Sequence, residues 1–388
     1  MDEVSVKREE VKGKEAENLI DLLIKNAKTI EGEKLEVAVH QGKITKIGTN
    51  LDEAAKKVLD LKNEAFLSAG WIDAHVHCFE KMSLYYDYPD EIGVKTGVTS
   101  VIDAGTTGAS NMGEFYQLAK EAKTNVYALM NISKWGIVEQ DELADLTKIK
   151  KELVAKTLGE LSDFVVGFKA RMSKTVIGEN GITPLKLAKE IQKENGGLPL
   201  MVHIGSAPPT LSEILSYMEA GDVMTHCFNG KPNGILNQET NEIKEVAKSA
   251  LAKGVAFDIG HGTDSFNFYV AQKALEDNIK ATTISTDIYI RNREHGPVYN
   301  LATTMEKLRV IGYSWAEILE KVTVAPAQLF NLKGKGKLIE NGDADLTIFT
   351  IRAGEKTLTD SNGNTRTAKE LIQPVHTIIG GMVYDNQL

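Results

Sequence analysis

Cysteine is nearly absent from this chain. Cys78 and Cys227 are the only two thiols in 388 residues, too few for a disulfide framework, and a reducing cytoplasmic compartment is expected. No apolar run approaches membrane-spanning length, and the N-terminus has no apolar stretch of the signal-peptide kind. An excess of basic charge is also missing: the formal net charge of −9 argues against nucleic acid or an anionic membrane as partner. The rest is ordinary, with 42% hydrophobic and 26% charged residues in a chain long enough for one large and one smaller domain. The expected class is a metabolic enzyme acting on a small molecule, assembled as a homo-oligomer.

Residues 1–17 are charged and aperiodic and read as a polar tail. Short β-like runs follow at 21–25, 35–39 and 43–47, separated by Gly32 and Gly42 and closed by Gly48. The same texture returns at 344–349 and 375–379, so residues 18–67 and 339–388 are expected to close on each other as a composite β-sandwich domain. In residues 68–338, buried-strand runs alternate with amphipathic helical stretches, which points to βα units and a parallel sheet. Strands are expected to end at His77 and to cover 99–104, 126–130, 164–170, 199–204, 223–228, 256–259 and 283–287. Eight such units fit a (β/α)8 TIM barrel; an open doubly wound sheet is the alternative, but no Gly-x-Gly-x-x-Gly follows a strand.

In a barrel, chemistry sits where strands run out into the βα loops. The polar residues at those ends are His75, His77, Asp103, Lys169, His203, His226, His261 and Asp287. Strand alternation sends His75 and His77 to one side with Val76 turned away, a metal half-site. A lone buried histidine is more often a core residue than a ligand, and Lys169 could be a snorkelling surface lysine. Four histidines, a lysine and an aspartate at the ends of five strands are harder to explain that way. Cys78 and Cys227 each follow such a histidine directly, and alternation aims them into the core rather than at a metal.

The order His-x-His, Lys, His, His, Asp, together with the run Gly70-Trp71-Ile72-Asp73-Ala74-His75-Val76-His77, resembles the amidohydrolase superfamily of metal-dependent hydrolases. The resemblance implies two divalent ions, zinc being favoured by the imidazole and carboxylate ligands although manganese or iron would tolerate them. His75, His77 and Asp287 would bind the more buried ion and His203 and His226 the second, with Lys169 bridging as a carbamate formed with carbon dioxide. A bare ammonium between two dications would be repelled, whereas a carboxylated lysine supplies anionic oxygens. The metals would share a hydroxide, and Asp287 would take its proton during attack and pass it to the leaving group. Asp73 and Asp103 read as supports for the ligands.

Dihydroorotases place an arginine two residues after the second histidine; Phe79 stands there in this chain. The segments 167–173 and 257–262 look more like the dihydroorotase-like deacetylases that act on acetylated α-hydroxy or amino acids. Arg171, His261 and Tyr289 are the substrate-binding candidates, Arg171 being suited to a carboxylate or, equally, to a structural ion pair. His295 is a weaker candidate that shapes a loop. The expected function is acetyl removal from a small carboxylate-bearing ester or amide. A cyclic-amide hydrolase and an inactive scaffold relative are the alternatives, and the scaffold predicts missing ligands, of which there are none.

Overall fold

The structure is a computed structural model that describes residues 19–386, so the expected polar tail lies outside the described residues. The N-terminal part supplies β1 (Ile20–Lys28), β2 (Lys34–His40), β3 (Lys43–Gly48), β4 (Ala55–Asp60) and β5 (Phe66–Ala69). The middle supplies β6 (Trp71–Val76), β7 (Val98–Gly108), β8 (Asn125–Asn131), β9 (Val165–Met172), β10 (Leu200–Ile204), β11 (Val223–Thr225) and β12 (Ala256–Asp258). The C-terminal part supplies β13 (Leu346–Thr359), β14 (Thr365–Ile379) and β15 (Met382–Asp385).

β6 to β12 pair in parallel in chain order, and helices such as 183–194 and 211–217 cross over between neighbouring strands. Thr210 starts one of these helices with a reciprocal capping box to Glu213, which satisfies two backbone donors at once. Ile72, Ala74, Ile102, Ala104, Met201 and Val223 meet inside the barrel below the strand ends and fill it with apolar side chains.

The eighth strand, expected at 283–287, is not a regular strand. The segment touches both edges of the sheet through single bridges, Asp258 with Thr283 and Val76 with Ile288, and so closes the barrel. The reason is local chemistry. Asp287 adopts a left-handed backbone with φ 52°, and the hydroxyls of Thr283 and Ser285 both donate to Asp258. β11 likewise stops short of the expected 223–228, because His226 turns left-handed at φ 65°.

Both chain ends meet in a separate eight-stranded sheet, where β5 pairs antiparallel with β13 and parallel with β1. Leu22, Ile24, Val37, Ile44, Leu346 and Ile348 form its core. β13 and β14 continue well past that sheet as a long hairpin that sequence patterning does not reveal. The arm lies on the helix at 301–311, where Lys356 Nζ donates to Glu306 at 2.9 Å and Arg309 to Glu370 at 2.7 Å. At its tip Ser361 N donates to Phe266 O at 3.0 Å, tying the arm to the loop after β12. Among the described residues no helix is long and apolar enough to cross a membrane.

Candidate active site

The strands aim their ends inward by departing from regularity. A register shift between Asp73 and Val76, against β7, resets the alternation of β6. Ile72 and Ala74 therefore face the interior lower down, and His75 and His77 face it at the mouth. Lys169 and Arg171 on β9, and His203 on β10, reach the same cavity by plain alternation. His226 and Asp287 reach it through their left-handed backbones, a conformation that neighbouring structure must hold in place. For Asp287, the backbone N–H donates to His75 O at 2.7 Å and the carbonyl accepts from Asn292 Nδ2 at 2.9 Å.

Asp287 Oδ1 lies 3.2 Å from His75 Nε2 and 3.0 Å from His77 Nε2. Lys169 Nζ is 3.2 Å from His75 Nε2. The His203 ring stands edge-on to His226, centroids 4.6 Å apart, and His226 lies 5.2 Å from His75. The structure thus brings all six expected ligand residues to one cavity of about 120 Å³. Burial opposes charge on Asp287, yet the His75 and His77 rings, when they carry a proton on Nε2 in place of a metal, hold its carboxyl well below the usual carboxylate range. Burial draws the Lys169 ammonium down to about 8.

For His75, His77 and His226 the other ring nitrogen settles what faces the cavity. His75 Nδ1 donates to Thr225 Oγ1 at 2.8 Å, whose hydroxyl donates to Asp258 at 2.7 Å. His77 Nδ1 donates to Thr106 Oγ1 at 2.7 Å, whose hydroxyl donates to Asp103 at 2.8 Å. His226 Nδ1 donates to Gly260 O at 2.6 Å. Each hydroxyl has one proton and gives it to a carboxylate, so it accepts from the ring and Nε2 is left as a lone-pair donor. His75, His77 and Asp287 then face one another with acceptor atoms within 4.8 Å. Such a grouping is repulsive until a cation enters, and the donor set fits a divalent metal.

Thr106, Thr225 and Asp258 are the supporting residues that sequence reasoning missed; a threonine or an aspartate inside a buried strand was the available signal. Asp73 supports a different atom: it accepts from Thr286 N at 3.0 Å and from its hydroxyl at 2.5 Å, just before Asp287. Thr225→Val, which removes the relay to His75 at nearly constant volume, is expected to weaken metal affinity by roughly 10- to 100-fold. Competition against a chromophoric chelator measures this, and unchanged affinity would show that the relay does not tune the site.

The cavity wall carries Tyr85 and Tyr289, edge-on at 5.0 Å, with the Tyr289 hydroxyl 3.1 Å from Thr263. Arg171 lines the cavity, but its guanidinium already donates to buried Glu142 at 3.0 Å and to Gln140 at 3.1 Å. His261, expected in the pocket, does not line it. Its Nδ1 donates to Gly262 O at 2.9 Å, its Nε2 accepts from Lys307 at 2.8 Å, and its ring stacks on Phe266. Gly262 is the close neighbour of the site: a Cβ there would stand 2.3 Å from Asp287 Oδ2. His295 is exposed at the end of the helix at 290–295. Phe79 packs against Phe115, and both cysteines are buried with their thiols pushed up by burial.

The fold and this donor set define a hydrolase of the amidohydrolase superfamily. Residues 338–385 match the model of the deacetylase-like composite domain. The chain is 68% identical to a deacetylase of Enterococcus faecalis over 94% of its length and 99% of that protein's. It is 35% identical to a deacetylase of Agrobacterium fabrum over 87% and 84% of the two. A crystal structure described as an adenine deaminase superposes with TM-score 0.94 at 67% identity, covering 95% of this chain and 100% of that one. One described as a dihydroorotase superposes with TM-score 0.88 at 32% identity, covering 95% and 99%. The chain belongs to the deacetylase-like family of that superfamily.

Proposed function

We propose that this protein is a binuclear metal-dependent hydrolase that removes the acetyl group from a small carboxylate-bearing ester or amide. The observation that carries the reading is the convergence of His75, His77, Asp287 and Lys169 on one point, with ring tautomers set to leave lone pairs facing it. His75, His77 and Asp287 would hold one ion and His203 and His226 the other, zinc suiting these donors best. A pair of bound divalent ions supplies a polarised carbonyl and water acidic enough to react at neutral pH.

The chain's own residues do the rest. The buried Lys169 amine, drawn down to about 8 by desolvation, would be available in its uncharged form to add to carbon dioxide with loss of a proton. The carbamate so formed would supply anionic oxygen ligands to the metal site. Asp287 accepts the proton of the attacking water and returns it to the leaving oxygen or nitrogen. Tyr289 presents its hydroxyl from the wall towards the departing group, while His261 acts from behind by fixing Gly262 against Asp287. Phe79 is buried against Phe115 outside the cavity lining, so the position two residues after His77 supplies no cation for a cyclic ureide acid, which favours the deacetylase over the dihydroorotase reading.

The test is a panel of acetylated hydroxy acids, acetylated amino acids, dihydroorotate and adenine, offered to enzyme reconstituted with zinc and bicarbonate. Acetate release from an acetylated acid is expected. Ring opening of dihydroorotate or ammonia release from adenine, with no acetate from any ester or amide, would replace the reading.

A further inference from the structure

The charges on the cavity wall do not all have partners. Three cations line it: Lys169, Arg171 and Lys231. Lys169 sits in the ligand cluster against His75. Arg171 is neutralised by Glu142, which is buried beside it. Lys231 differs from both: among the described residues, no carboxylate or hydrogen-bond acceptor holds its ammonium. Of the acidic residues lining the cavity, Asp287 belongs to the ligand cluster and Asp264 is exposed.

The backbone under Lys231 is fixed although its side chain is free. Buried Asn229 donates through Nδ2 to His226 O at 2.9 Å and accepts from Lys231 N at 2.9 Å. Gly234 N closes back onto Lys231 O at 2.9 Å, and a Cβ at Gly234 would stand 2.8 Å from Asn229 Oδ1. Lys244 Nζ clamps the far side by donating to Pro232 O at 3.0 Å and Gly234 O at 2.7 Å. A braced turn thus fixes the backbone root of an uncommitted cation close to His226. In a protein with net charge −9, such a cation is the group an anionic substrate would find.

We infer that Lys231, rather than Arg171, is the specificity-determining residue that holds the carboxylate of the substrate, anchoring the part of the molecule that leaves after acetyl removal. The inference rests on the deacetylase reading for the identity of the reaction but not for the anchor itself. Arg171 is a wall residue, its charge spent on Glu142 and its plane held near Tyr85, 5.8 Å from the ring centre.

The experiment uses the metal-reconstituted full chain with 2-acetoxypropanoate and its uncharged partner 2-acetoxypropanamide. In Lys231→Met, KM for the acid is expected to rise roughly ten-fold or more, with kcat changing little and KM for the amide moving far less. Lys231→Arg should restore most of the acid preference, because the charge is kept. An unchanged KM for the acid, or an equal loss on acid and amide, overturns the anchor. So does an acid-selective loss in Arg171→Met that Lys231→Met does not show. Calorimetric binding of lactate and lactamide separates this from the reaction: if the enzyme releases no acetate, the deacetylase reading falls. A lactate preference that disappears in Lys231→Met still supports the anchor, and a preference that persists, or none in the unaltered enzyme, overturns it.

Discussion

Asp287→Asn is expected to lower kcat by about a thousand-fold or more while the protein keeps most of its metal. The asparagine is nearly isosteric, and the backbone that holds position 287 does not depend on the carboxylate: its N–H bonds to His75 O and its carbonyl to Asn292. What disappears is the group that accepts the proton of water and gives it to the leaving atom. The carboxyl is held well below the usual carboxylate range by His75 and His77, so it stays ionised and ready to accept throughout the neutral range. Metal content by mass spectrometry and single-turnover rates check the two halves of the expectation. Retained turnover would remove Asp287 from proton transfer. Complete loss of metal would show that its main contribution is as a ligand.

Lys169→Gln is expected to reduce bound metal from two equivalents towards one and to abolish measurable turnover, a loss of at least about a thousand-fold. Lys169 is fully buried, and its stem passes where a Cβ at Gly105 would lie 2.6 Å away, so glutamine fits the channel without new contacts. An amide oxygen is a single neutral donor; it cannot place an anionic oxygen on each of two ions. Metal analysis after reconstitution with zinc and bicarbonate, set against the unaltered protein, decides the matter. Two equivalents of metal in the variant would show that Lys169 is not the bridge.

The candidate ligands were legible because strands impose a simple geometry. Side chains alternate in a strand, and a barrel collects strand ends at one mouth, so polar residues at apolar strand ends identify themselves. Lys169, Arg171 and His203 reach the cavity by that rule alone. His75, His226 and Asp287 needed more than the rule: a register shift and two left-handed residues, which single-sequence patterning does not show. The rule also misled at His261. It stands in the loop three residues past the end of β12, where a buried lysine from the helix at 301–311, Lys307, takes its Nε2 and the ring stacks on Phe266 rather than lining the cavity.

Residue order alone determined the parallel βα architecture and the candidate residues at the strand ends, because these follow from hydrophobic periodicity and side-chain chemistry. The like texture of the two chain ends suggested their meeting, and only the pairing of β5 with β13 decided it. Tertiary structure alone decided which nitrogen of His75, His77 and His226 faces the cavity, since Thr225, Thr106 and Gly260 arrive from other strands and loops. It also decided which cation is free. Glu142 reaches Arg171 from 29 residues away, and nothing in the local sequence of either marks the pairing. Charges and lone pairs are counted by contact in space, and contact between distant segments is what a linear pattern does not carry.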